Sequence, residues 1–346
     1  IRLIMKTLLT LAALVVLLGF SGCSKDEPTY VNYKDEWKIL AASTGTPSAL
    51  ALVSQPDGTV TSADIFASAN GTPLPGTVQK IVEFREYLYL MIPSVFQMVV
   101  IDKQTFKQKA VLDFSAQQRI PTDVAFGNAT TGYVAHENDT SVTVIDITNF
   151  TIGRVIKVGM HPVAIAAVGN QVFVANQSDN TVSQIDTRTN TVVATHQVAT
   201  APTFIRPNAS GHEVMVLSLG AGKLDTAGMK TPPVITYIDS SRIIVEVTPL
   251  DDPLLDGVNA LPTSISVSPK EWAYITVQKG VIRLDTKGRK DDKLVSELEY
   301  KQSYYNFRRN EILLLNGTNG RIIDEITGEE KTTFVISTEA TTLIGL

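Results

Sequence analysis

The chain of 346 residues holds one cysteine and four histidines. A lone thiol excludes a disulfide within the chain and any cysteine-rich zinc site. Charged residues make up only 19 % and the formal charge is −5. That balance lacks the lysine and arginine surplus that neutralises phosphates, so no nucleic-acid partner is expected. No apolar run reaches the roughly twenty residues a spanning helix needs. The longest, Leu8 to Phe20, is thirteen residues without a charge. Helical periodicity is absent after residue 20, and residues 110–120 and 290–300 hold a helical turn at most. No serine stands in a G-x-S-x-G elbow, and neither a Walker-type lysine nor a dinucleotide glycine fingerprint is present. With 44 % apolar residues the chain has the material for a packed core, which rules out wholesale disorder and collagen-like structure.

The apolar run of Leu8 to Phe20 follows Arg2 and Lys6. A basic segment before a short apolar one reads as a secretion signal, with Met5 as the start. The run closes on Phe20-Ser21-Gly22-Cys23, which resembles the lipobox of bacterial lipoproteins, although Phe20 stands where leucine is usual. The resemblance implies a signal peptide over 1–22 and a lipidated Cys23. Loss of Arg2 and Lys6 would take the formal charge from −5 to −7. Acyl chains anchor through burial of CH₂ groups at ~0.8 kcal/mol each. Ser24-Lys25-Asp26-Glu27 then opens a tether over 23–35. It looks like the acidic signal that sends lipoproteins of Bacteroidetes-type bacteria to the cell surface. The expected location is the outer membrane, lipid-anchored and surface-exposed, with the periplasmic face as the alternative.

The remainder repeats. Tyr133-Val134-Ala135-His136 recurs as Phe173-Val174-Ala175-Asn176, Val142 to Asp146 as Val182 to Asp186, and Pro162 as Pro202, all at an offset of forty. An apolar residue followed by Asp opens a polar turn at Asp102, Asp146, Asp186, Asp239, Asp285 and Asp324, with a weaker copy at Asp57. Seven such turns give about 46 residues per unit, the length of four short strands in a propeller blade. Runs such as VTVID and EILLLN are rich in β-branched and apolar residues, as strands require. The predicted fold is therefore all-β. It is a seven-bladed β-propeller of four-stranded antiparallel blades over 36–346, preceded by the lipoprotein signal peptide. Glu36 to Ser43, Ala49 to Ser54 and Thr59 to Ala67 should supply three strands of the first blade. Thr341 to Leu346 should return as its innermost strand and latch the ring.

The segment FVANQSDNTVSQIDTRTNTVVATHQVATAPTFI (173–205) and the looser copy beginning at Tyr133 resemble YVTN-repeat β-propellers. Asn70-Gly71-Thr72-Pro73-Leu74-Pro75-Gly76 resembles a segment of their secreted Bacteroidetes branch. Clear resemblance covers about residues 55–205. It implies a propeller lipoprotein and, from relatives of this kind, corrinoid capture at the cell surface as one activity. Asp225-Thr226-Ala227 further resembles an O-glycosylation triplet, inside an insertion spanning Gly220 to Pro233.

The repeat register places a set of loops on one rim. Those leading into innermost strands hold Arg119, Met160, His161, Ala201, Leu261, Tyr304 and Tyr305. Those between second and third strands hold Phe96, His136, Asn138, Gln177, Asp179, the insertion around Met229, and Asn316. The ligand-binding candidates are Phe96, Arg119, His136, Asn138, His161, Gln177, Asp179, Tyr304 and Tyr305. Aromatics beside amides suit a small amphipathic ligand or a protein surface. Equally, Tyr304 and Tyr305 could pack on a neighbouring blade. His136 and His161 could ligate a metal only with a carboxylate such as Glu137 or Asp139, and read as solvated loop histidines instead. No metal, cofactor or catalytic residue is expected. The reading is a non-catalytic surface binding protein serving or docking on a TonB-dependent transporter. A structural or adhesive propeller is the alternative. A propeller enzyme of lyase, lactonase or quinoprotein-like type ranks below both.

Overall fold

Short apolar runs separated by Asp-led turns fold into strands, and each strand pairs with the next. A computed structural model describes residues 37–220, 232–241, 244–250, 261–277, 280–287, 290–296 and 298–346. The signal peptide, Cys23 and the tether lie outside the described residues, as do Met229 and the Asp225 triplet. The first blade contains β1 (Trp37–Ser43), β2 (Leu50–Gln55) and β3 (Thr59–Ser62). The second runs through β4 (Lys80–Phe84), β5 (Tyr87–Ile92), β6 (Gln97–Asp102) and β7 (Gln108–Asp113), and the third through β8 (Pro121–Phe126), β9 (Thr131–His136), β10 (Ser141–Asp146) and β11 (Thr151–Lys157). The fourth is β12 (Pro162–Val168), β13 (Gln171–Asn176), β14 (Thr181–Asp186) and β15 (Thr191–Gln197). The fifth is β16 (Pro202–Pro207), β17 (Glu213–Ser218), β18 (Val234–Asp239) and β19 (Ile244–Pro249). The sixth is β20 (Ser264–Val267), β21 (Trp272–Val277), β22 (Gly280–Asp285) and β23 (Lys290–Ser296). The seventh is β24 (Gln302–Asn306), β25 (Glu311–Asn316), β26 (Asn319–Asp324) and β27 (Glu330–Val335). The last strand, β28 (Ala340–Gly345), returns to the first blade.

The result is a seven-bladed β-propeller of four-stranded antiparallel sheets. The first blade has the order β28-β1-β2-β3, with Leu40 opposite Ile344 and Ala41 opposite Leu343. This is the expected latch. It joins the two ends of the ring, so that β1 is hydrogen-bonded on both sides.

Closure follows from the faces. A strand alternates its side chains, so each blade is apolar on both sides and buries neither alone. In β1, Ile39 and Ala41 join a core cluster with Leu313 and Phe334 of the seventh blade, while Leu40 and Ala42 join one with Leu88 and Leu90 of the second. The other five clusters likewise each span two neighbouring blades. The core is thus a circle of blade-to-blade interfaces.

Each of the six apolar–Asp pairs ends the third strand of its blade. A carboxylate oxygen then accepts a backbone N–H just ahead: Thr105 on Asp102 at 2.7 Å, Thr148 on Asp146 at 2.7 Å, Arg188 on Asp186 at 2.9 Å and Thr327 on Asp324 at 2.9 Å. This is why Asp recurs there: its side chain replaces a backbone partner in the turn.

Two local expectations are corrected. The outermost strand of the first blade stops at Ser62, and the chain enters helix α1 (Ile65–Asn70). Asp64 caps it by accepting from Ala67 N at 3.1 Å, Gly71 ends it at φ 73°, and Phe66 is buried beneath. Residues 290–296 form β23, not a helical turn. Outermost strands meet the core only in part, so the alternation that marks a strand is weak there, as in β11, where only Ile156 is buried. Residues 115–117 do form a 3₁₀ turn.

Candidate functional site

The loops entering the innermost strands and those between second and third strands share one rim, here called the upper rim. Most of the predicted site residues on it prove to hold the loops together. Arg119 Nε donates to Asp139 Oδ2 at 2.8 Å, and Ser141 Oγ donates to the same oxygen at 2.7 Å. Burial pushes the Asp139 carboxyl up, but these bonds and the Thr140 N–H outweigh it and hold it at about 2. Asn138 takes the Ile120 N–H and donates to the Gln118 carbonyl. Asp179 accepts from Met160 N at 2.5 Å. Phe96 adopts a left-handed backbone after a 3₁₀ turn, and its ring packs into the core between the second and third blades. His161 is likewise left-handed, and its carbonyl accepts the Gln177 N–H at 2.9 Å.

Two expectations about this rim are wrong. His136 is not a solvated loop histidine. It ends β9 with 0 % exposure, bonded through Nε2 to Thr143 Oγ1 at 2.8 Å and edge-on to the Phe114 ring. Burial, aided by Arg119, lowers its pKa to about 4, so it is neutral at pH 7. Tyr305 is not a rim residue. It is buried beside Tyr274, and its hydroxyl, with one proton to donate, lies 2.9 Å from Glu325 Oε2 and 3.0 Å from Asn310 Oδ1. The alternative of packing on a neighbouring blade describes it. Among the described residues no three His, Cys, Asp or Glu side chains converge as a metal site.

The innermost strands instead enclose an axial channel. Its upper part is a cavity of about 680 Å³ lined by Gln79, Thr122, Glu137, Gln177, Thr203 and Gln302 among others. Of the predicted residues, Gln177 and Tyr304 line this upper cavity. A second cavity of about 850 Å³ opens toward the turns of the lower rim. Lys80, Arg206, Ser303 and Tyr304 line both.

Register explains the waist between them. Lys80, Asp123, Ala164, Phe204, Ser264, Gln302 and Thr342 each pair with the same position of the second strand in their blade, so they form one layer around the axis. In it Lys80 Nζ meets Asp123 Oδ2 at 2.5 Å, across two blades. Asp123 also accepts from Val124 N at 2.9 Å and Ile165 N at 3.2 Å, so one carboxylate ties the second, third and fourth blades. Burial lowers the Lys80 pKa, Asp123 opposes this, and Arg206 pushes the same way as burial. Arg206 belongs to the next layer down, with Tyr304. Among the described residues its side chain makes one hydrogen bond, from Nη1 to the Ile205 carbonyl at 2.8 Å, and has no carboxylate within ion-pairing distance. Burial draws its pKa down, with Asp123 opposing, yet a guanidinium stays charged. Burial and Glu83 push the Tyr304 phenol up to about 12, against Arg308.

The lower mouth is cationic. Its wall carries Lys80, Arg85, Lys103, Arg206 and Arg308 against Glu83 and Asp123. Glu83 takes both Lys103 Nζ at 2.9 Å and Arg308 Nη2 at 2.5 Å. Phe84 and Phe126 stack at 4.1 Å in the same wall, with Arg85 over Phe84. Sequence reasoning, centred on upper loops, missed this cluster. Its signal was charge inside otherwise largely apolar innermost strands: Lys80 and Glu83 in KIVEF, Asp123 in PTDVAF and Arg206 in PTFIRP.

The shape has solved counterparts. A Bacteroides uniformis protein named after 6-phosphogluconolactonase superposes with a TM-score of 0.65 at 13 % identity, over 90 % of this chain and 100 % of that one. Kuenenia stuttgartiensis hydrazine synthase gives 0.60 at 14 %, over 84 % and 90 %. Apo AztD from Citrobacter koseri gives 0.56 at 9 %, over 90 % and 98 %. At such identities the likeness is one of fold, and these names span unrelated roles. No curated protein matches the sequence. Residues 45–209, from the first blade to the inner strand of the fifth, match the model of a domain of unknown function, DUF5074.

Proposed function

We propose that the chain is a non-catalytic binding propeller that holds a small amphipathic ligand in its axial channel. It works as a lipid-anchored protein on the outer face of a bacterial outer membrane, beside a TonB-dependent transporter. The supporting observation is the channel itself: two cavities of about 680 and 850 Å³ that share a waist of charged, polar and aliphatic residues. Pockets of this size enclose drug-sized ligands and usually combine apolar walls with a few placed polar groups. The anchoring part of the reading rests on the Phe20-Ser21-Gly22-Cys23 motif and the acidic residues after it.

Equilibrium binding of the full chain to a panel of corrinoids and haems, followed by absorbance, tests the binding role. Saturable binding that Ser264→Phe weakens by narrowing the channel supports it. A panel without a binder, together with a native mass spectrum free of any retained ligand, removes it. Binding that persists unchanged in Ser264→Phe would favour an adhesive role for the outer surface. For the anchor, labelled palmitate should enter the native protein and not Cys23→Ser, and proteases added to intact cells should degrade the native protein.

A further inference from the structure

Among the described residues, the waist of the channel carries more positive charge than its partners neutralise. Lys80 is matched by Asp123 at 2.5 Å. Arg206 has no ion-pair partner among the described residues, although Asp123 acts on it at longer range: one guanidinium N–H reaches the Ile205 carbonyl, and the residue lines both cavities. Below it, Lys103 and Arg308 share the one carboxylate of Glu83. Arg85 lies over the Phe84 ring with no carboxylate in ion-pairing distance among the described residues. Among the described residues, five cations against two carboxylates thus line a mouth in a chain whose net charge is −5.

A cation held away from bulk water is costly unless an anion meets it. Here the local surplus is enclosed by low-dielectric walls, which focus the field along the axis. A guanidinium fork also fits two oxygens of a carboxylate or phosphate side by side. The same cavity has aromatic wall in the stacked Phe84–Phe126 pair, both half-buried, and Phe307 stands exposed at its edge. Building on the channel-binding reading above, we propose that the lower mouth takes an organic anion. Its carboxylate or phosphate oxygens dock on Arg206 at the waist, and its planar apolar body lies against Phe84 and Phe126. Arg85 and Arg308 draw the anion in, and Asp123 holds Lys80 in an ion pair, which leaves the Arg206 guanidinium to donate to the anion.

The test uses three probes of one shape, 1-naphthoate, 1-naphthyl phosphate and the neutral 1-naphthamide, titrated into the full chain by calorimetry and saturation-transfer NMR. Both anions, or one of them, should bind, and whichever is tighter identifies the oxyanion. The amide should bind at least about tenfold more weakly, since hydrogen bonds to a charged group are worth about 1.5–3 kcal/mol. Arg206→Met should weaken the anions by about 10- to 100-fold and leave the amide unchanged. Arg206→Lys, which keeps the charge and loses the fork, should weaken them less and serves alone if the methionine variant does not fold. The proposal is overturned if the amide binds as well as the anions, if Arg206 variants bind them normally, or if no probe binds in the millimolar range. Equal binding of the amide would leave the channel-binding reading intact. Failure of the corrinoid and haem panel with success of the anions would strike only those ligands.

Discussion

Removing the latch is the sharpest trial of the ring. Leu343 and Ile344 are adjacent in β28 but point to opposite sides. Leu343 joins the core shared with the seventh blade, and Ile344 that shared with the second. Both are almost fully buried, at 4 % and 2 % exposure. Truncating either to alanine removes buried methyl groups and leaves a cavity, at about 2–5 kcal/mol. An unfolding entropy of about 2.1 cal/mol/K per residue over a ring of about 310 residues converts 1 kcal/mol into ~1.5 °C of Tm. Each substitution should therefore lower the melting temperature by roughly 3–8 °C. Deleting 340–346 costs more, because it bares both half-interfaces and the inner edge of β1, and removes the Thr341 hydroxyl bonded to the Val78 carbonyl. Val335→Ala, at a position 56 % exposed on an outermost strand, is the control and should stay within about 0.5 kcal/mol. Calorimetric melts of the four variants check this. A deletion variant melting with the native protein would refute the reasoning, since it would show that the first blade needs no C-terminal strand.

Other tests probe the interior. His136 is neutral when folded, with a pKa near 4 against an ordinary 6.5, so between these values only the unfolded chain takes up the proton. Stability should fall by up to about 3 kcal/mol as pH drops from 6.5 to 4, with no contribution above. His136→Asn should flatten that slope in urea titrations at pH 7.5, 5 and 4; an unaltered slope counts against the assignment. Asp123→Ala strips partners from Lys80 and from the Ile165 N–H and should cost about 3–5 kcal/mol in chemical denaturation, well beyond a surface substitution. A Cβ at Gly320 would lie 2.0 Å from the Phe334 ring. Gly320→Ala should thus displace a buried phenylalanine and lower stability by about 1–3 kcal/mol or more, read as a loss in Tm.

The ring was legible because its signals are local and repeated. The Asp that ends each third strand caps a turn with its own side chain, so it marks every blade regardless of what the loops do. The latch was legible by elimination, since a first blade begun by β1, β2 and β3 needs one more strand. The site was less so. Position within the repeat put His136 beside a loop, and the equivalent Asn176 shows why that misleads: both end the second strand as buried groups bonded to a hydroxyl on the third, Thr143 or Ser183. Tyr304 and Tyr305, adjacent in sequence, part company because successive strand residues face opposite ways. Lys80, Asp123 and Arg206 come from three separate blades and meet only when the circle closes. No local pattern announces such a meeting, although each charge is anomalous in its own strand.

The double-sided pairing of β1 bears on how the molecule withstands a pull. Tension arriving from the N-terminal side reaches the domain at Trp37 and runs along a strand gripped by β28 on one flank and β2 on the other. To extract it, two rows of bonds must slide together, a shearing load, where an outermost strand could be peeled one bond at a time. A domain fastened by that end to a moving surface would hold its shape under drag that strips a less protected edge.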